Sequence, residues 1–135
     1  MATALILFGF VWMVVAALIG LLLARRHELA QVQLEEIAAK GKLIDYHRVD
    51  AVYKWNKTVH AHAFLFSIVA VLIGLALSRM NYPEAVTDVL AGALMVAVAV
   101  WTLGGLRSNR PLMVIGDLTL LVSVMVAAIG MARAL

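Results

Sequence analysis

Four stretches of this chain, Thr3–Ala24, Val59–Ser78, Ala85–Leu106 and Leu112–Ala132, are each about as long as a helix needs to be to cross the hydrocarbon of a bilayer. Charge and turn-forming residues gather between them. With 64% of 135 residues hydrophobic, 14% charged and a mean hydropathy of +0.99, one small domain has no interior large enough for the surplus apolar side chains. Lipid is the solvent such a composition predicts, and a soluble enzyme domain is excluded. The expected fold is all-α: an integral membrane four-helix up-down bundle forming a single membrane domain over residues 1–135.

The breaks between the runs carry recognisable signals. No basic residue precedes the first run, which is too long for a typical signal-peptide core, so it reads as a retained helix. After Arg79, Asn81-Tyr-Pro-Glu84 offers Asn81 as a helix cap and Glu84 at the capping-box position. Arg107-Ser-Asn-Arg-Pro111 makes a second sharp turn into the last run. Arg25, Arg26, Lys40, Lys42, Arg48, Lys54 and Lys57 lie between the first two runs, and Arg107 and Arg110 lie in the third connection, leaving Arg79 and Arg133 for the other side. That bias puts the 25–58 segment in the cytoplasm and both termini outside. It also accounts for the net charge of +3 without invoking nucleic acid.

Residues 25–58 contain no proline and one glycine, Gly41, which predicts two helical extensions meeting in a tight turn. Each arm would extend by ~24 Å at 1.5 Å per residue. Leu29, Val32 and Ile37 form an incomplete stripe expected to pack against Leu43, Val49 and Val52, and Glu36 and Lys40 are spaced as an i,i+4 ion pair. Such a hairpin is either a solvated stalk or a docking surface for a partner subunit.

Cysteine is absent, which leaves histidine and carboxylate chemistry. His60 and His62 open the second run, but i and i+2 lie ~200° apart on an α-helix, so the pair cannot face one ion together. His60 shares a face with Asn56 and Tyr53, and His62 shares one with Thr58. Asp117 is a carboxylate inside the fourth run, at a level similar to His62. An intramembrane acid normally faces a partner inside the bundle. A polar cluster of Asn56, His60, His62, Asp117 and Arg107, with Thr102 at the same level, is therefore expected. It suits a register-fixing pair, a proton or quinol site, or a haem or metal site. Tyr53, Trp55 and Tyr82 fit an interfacial belt, and Ala16-xxx-Gly20, Ala93-xxx-Ala97 and Ser123-xxx-Ala127 permit close helix approach.

The run Thr58-Val-His60-Ala-His62-Ala-Phe64-Leu-Phe66 resembles the haem-ligand segment of the second helix in the catalytic subunit of haem-copper oxidases. The resemblance implies His62, followed by Ala63 and Phe64, as a haem ligand. A bis-histidine b-type haem would then use His62 with His27, or His62 with a neighbouring copy, and His60 is a further candidate. The later runs contain no histidine, so oxygen reduction is not implied. The topology, with the Arg48-Val-Asp-Ala-Val52 segment before the second run, is also similar to the microsomal glutathione transferase superfamily. There Asn56 would stand for the family's asparagine. The glutamate and proline that follow in that family are missing, with His60 and His62 near their place, and its third-helix arginine is absent. That likeness implies a homo-oligomeric glutathione- or lipid-handling enzyme.

No Walker motif, nucleophile elbow, zincin helix or dinucleotide fingerprint is present. The residues therefore point first to a small integral subunit or accessory protein of a larger respiratory or redox membrane complex, surrounded by lipid and by other membrane subunits or copies of itself. A haem- or metal-binding membrane protein is the alternative.

Overall fold

The computed structural model describes residues 1–134 and contains four α-helices, with no strand among them. They are α1 (Ala2–Ala39), α2 (Leu43–Ala76), α3 (Glu84–Leu106) and α4 (Arg110–Ala132), with a 3₁₀ turn at Leu77–Arg79 after α2. All four are long and apolar enough to cross a membrane. The hairpin arms are continuous with the apolar segments, so α1 and α2 reach 38 and 34 residues.

Each turn has a local cause. Gly41, at φ +64°, occupies the left-handed region that a side chain resists, and the chain reverses there. Asn109 caps α4 by accepting from the Leu112 N–H at 3.3 Å, and Pro111 sits in the first turn, where its missing N–H costs nothing. The start of α3 departs from expectation. Pro83 takes the cap position without a side-chain hydrogen bond, Glu84 is the first helical residue, and Asn81 instead donates its backbone N–H to Gly130 O at 3.3 Å. Proline's fixed φ makes it a good helix opener, which displaces the Asn81 cap by two residues.

Neighbouring helices run antiparallel, as their contacts show. Along α1 and α2, Ile6 meets Gly74, Gly9 meets Val71 and Gly20 meets His60. Along α3 and α4, Gly104 meets Met113 and Trp101 meets Gly116, while Gly105 of α3 rests on Val59 of α2. Two clusters fill the interior. One gathers Leu5, Ala70, Leu90, Leu94 and Ala127, and the other Val59, Phe66, Val98 and Trp101. The apolar window of α3 is 50% buried, against 39% for α2 and 17% for α1 and for α4. Helix α3 is thus the hub, and α1 and α4 turn broad faces outward, with Leu7, Val14 and Leu18 exposed on one and Leu118, Leu121 and Met125 on the other. Apolar surface on that scale is foreign to a water-solvated monomer.

The hairpin seam differs from the expected stripe. Leu29, Val32, Leu43 and Val52 are exposed, and only Ile37 and Val49 of the six are partly buried. The buried residue is Leu34. The residues withdrawn from solvent are Ala30, Leu34 and Ile37 on α1, spaced four and three apart, and Tyr46, Val49 and Tyr53 on α2, spaced three and four apart. Two helices alone bury only a narrow seam of this heptad type, and residues flanking it remain outside. Glu36 and Lys40 are not an ion pair, because Lys40 lies past the helix end. The ion pair of this region is Asp50–Lys54 at 2.8 Å, and the Asp50 carboxylate holds the Lys54 ammonium above the usual lysine range.

Close helix approach depends on missing side chains. A Cβ on Gly116 would lie 2.7 Å from Trp101 Cβ and 3.0 Å from its Cα, neither of which can move without shifting α3. Gly92, by contrast, has nothing within 4 Å. We expect Gly116→Val to lower stability in detergent by about 1–3 kcal/mol through overpacking, and Gly92→Ala to be neutral or slightly stabilising. Thermal or SDS-titrated unfolding of the purified variants measures both.

Candidate functional site

Polar side chains are few in the apolar half of the structure, and most of them are tied to backbone. Thr102 of α3, 1% exposed, donates to Val98 O at 2.8 Å and accepts from Trp12 Nε1 at 3.1 Å, so its single hydroxyl joins α1 to α3. Trp55 of α2 donates from Nε1 to Gly105 O at 3.0 Å, and Tyr82 donates its hydroxyl to Val126 O at 3.0 Å. Two members of the expected interfacial belt, Trp55 and Tyr82, thus each hold one helix or turn to another. Each bond satisfies a donor that would otherwise be costly away from water.

The two histidines of the His-x-His segment part company, as the helical angle requires. His60 turns toward α1, where Nδ1 donates to Ala16 O at 2.9 Å and the ring edge fills the space left by Gly20. His62 turns toward α3. Its Nδ1 donates to Thr58 O one turn earlier at 2.9 Å, and its ring stacks on Trp101 with centroids 5.2 Å apart and an interplanar angle of 24°. Phe66 meets Trp101 edge-on at 5.0 Å, which completes an aromatic triplet. Trp101 Nε1 is buried and has no protein acceptor among the described residues.

Asp117 stands at the expected level, because its neighbour Gly116 packs under Trp101, on whose ring His62 stacks. It does not join them. Gly116 takes the inward position on α4, and one residue further the helix has rotated ~100°, which leaves Asp117 exposed on the outer face. Among the described residues it forms neither a salt bridge nor a side-chain hydrogen bond. Arg107 is exposed beyond the end of α3, and Asn56 is half-buried and lines grooves beside Trp55 and Tyr53. The structure therefore resolves the expected cluster into separate places: His60 against α1, His62 against α3, Asp117 outside.

Histidine ligation can be tested on the same geometry. No group of three or more His, Asp or Glu side chains among the described residues is placed to hold a metal ion. His27 is exposed on the hairpin side of α1, where its Nδ1 and the Tyr53 hydroxyl are hydrogen-bonded, whereas His62 lies nine residues further along α2 and faces α3. At 1.5 Å per residue that is about 13 Å along the axis, and the two rings turn to different neighbours, His27 to Tyr53 and His62 to Trp101.

Two features were not visible in the sequence reading. Asp88, one turn into α3, faces the amino group of Met1 at 3.4 Å, and its place near the start of an apolar run was the available signal. His27, Tyr53, Lys57 and His60 line one crevice between α1 and α2, which the i,i+7 relation of Tyr53 and His60 hinted at from one helix only. The chain matches no protein-family model, no curated protein and no solved structure.

The Trp12–Thr102 bond can be measured directly. A double-mutant cycle of Trp12→Phe and Thr102→Val should return a coupling of about 0.5–1.5 kcal/mol in detergent unfolding. A coupling indistinguishable from zero would mean the bond does not hold α1 to α3.

Proposed function

We propose that the chain is a multi-pass membrane subunit or accessory protein: an up-down four-helix bundle whose 25–58 hairpin lies in the cytoplasm and whose termini lie outside. It serves a larger membrane assembly through its exposed helix faces rather than through a catalytic centre of its own. The distribution of Lys and Arg supports the orientation, and the outward apolar faces of α1 and α4 support lipid or protein neighbours.

One observation carries the subunit reading. Asp117 lies within an apolar helix of 23 residues, seven residues from its start, yet it is exposed and unpaired among the described residues. A carboxylate on a lipid-facing position costs roughly 2.5–3.5 kcal/mol on insertion scales and ordinarily finds a partner. The described residues supply none, so the partner proposed is a neighbouring transmembrane helix that brings a cation or hydrogen-bond donor to Asp117.

Because Asp117 is exposed and forms no salt bridge or side-chain hydrogen bond among the described residues, Asp117→Leu should leave the unfolding of the isolated protein within about 0.5 kcal/mol of the parent. The same change should lower recovery of stoichiometric partners from native membranes about tenfold, since one buried charge pair is worth at least that factor. With no native cysteine to interfere, a single Leu118→Cys or Leu121→Cys should cross-link to another polypeptide. A partner profile unchanged by Asp117→Leu, or cross-links to copies of this chain only, would contradict the proposal.

A further inference from the structure

The apolar segments of α1 and α2 give way to the charged hairpin at Ala24–Arg25 and at Thr58–Val59. At that boundary the two helices part to leave an open crevice of about 370 Å³. Its lining is apolar toward the membrane segments, from Gly20, Leu23 and Ala24, and polar toward the hairpin, from His27, Tyr53 and Lys57. Among the described residues no carboxylate lines it.

The polar end is organised. Lys57 holds its ammonium 5.4 Å from the centroid of the Tyr53 ring, on the same helix one turn away. His27 and Tyr53 are hydrogen-bonded through Nδ1 and the hydroxyl, which ties α1 to α2 across the crevice. With the phenol as donor, His27 carries its hydrogen on Nε2, free to donate outward. At the deep end the His60 ring, anchored on Ala16 O, closes the crevice against Gly20, where a Cβ would lie 2.6 Å from its Cε1 and force the ring to move. The Lys57 ammonium and the His27 ring thus stand at the boundary between apolar and charged sequence, beside an apolar trough formed by Gly20, Leu23 and Ala24.

We propose that this crevice binds the phosphate of an acidic phospholipid, with Lys57 and His27 on the phosphate and the Gly20–Ala24 side of α1 along the chain. This rests on the membrane reading above. The absence of acidic side chains favours an anion over a cation, and the position at the apolar–charged boundary favours a lipid over a soluble phosphate.

The test uses the full chain in nanodiscs of phosphatidylcholine alone and in equal parts phosphatidylcholine and phosphatidylglycerol, with retained lipid counted by native mass spectrometry after release. A parallel titration of the detergent-solubilised chain uses inorganic phosphate. Preferential retention of phosphatidylglycerol is expected. It should fall roughly fivefold in Lys57→Gln, as one cation at an anionic surface warrants, fall less in His27→Gln, and stay unchanged in Lys42→Gln at the hairpin tip. All three residues are exposed, so folding is expected to survive each change. Equal retention of both lipids, or a Lys57→Gln protein that behaves as the parent, overturns the site while the membrane reading stands. Saturable phosphate binding without lipid preference overturns the lipid as ligand. Failure to enter either disc overturns the membrane reading and this site with it.

Discussion

Trp101 is clasped from two sides, with Gly116 of α4 against its Cα and Cβ and His62 of α2 stacked on its ring, and this contact sets three helices in register. A side chain at position 116 would separate α3 from α4, and Phe66 meets the same indole edge-on. The next residue, Thr102, receives the Trp12 N–H, which brings in α1. Packing of this kind suits a medium in which burying apolar side chains gives little driving force, because close backbone approach and a few hydrogen bonds then carry helix association.

The outward placement of Asp117 follows from the same contact. A helix that commits Gly116 to Trp101 must turn its next residue away, so the carboxylate belongs to the outer surface as surely as the glycine belongs to the interior. Among the polar groups that do face inward, Trp12 with Thr102, Trp55 and His60 each make a single hydrogen bond to a neighbouring helix. They give the bundle its register. The chemistry available to other molecules lies at its margins, in Asp117 on α4 and in the His27–Tyr53–Lys57 rim between α1 and α2.

The four helices were legible because each apolar run is bounded by charge or by turn residues, and Gly41 and Asn109 act as their residue types suggest. The divergence of His60 and His62 was equally legible, since it needs only the helical angle. Which way a given face points was not. Asp117 was expected inside because an acid in lipid is costly, but that argument concerns energy and is silent on whether the partner belongs to the same chain. The hairpin seam differs for a related reason: Leu29, Val32 and Leu34 are all apolar, and only the way the two arms pack leaves Leu34 buried and the other two exposed. A glycine's partner is invisible in one sequence as well, which is why Gly116 and Gly20 gained meaning only with Trp101 and His60 beside them.

The proposed membrane role requires lipid around the exposed helix faces. Spin labels at Val14 and Leu18 on α1, with Ile44 at the hairpin tip as a reference that is 84% exposed, measure that medium directly through collision with oxygen and with a water-soluble nickel chelate. In reconstituted bilayers high oxygen and low nickel accessibility are expected at Val14 and Leu18, and the reverse at Ile44. Nickel accessibility at Val14 and Leu18 equal to that at Ile44 would contradict it.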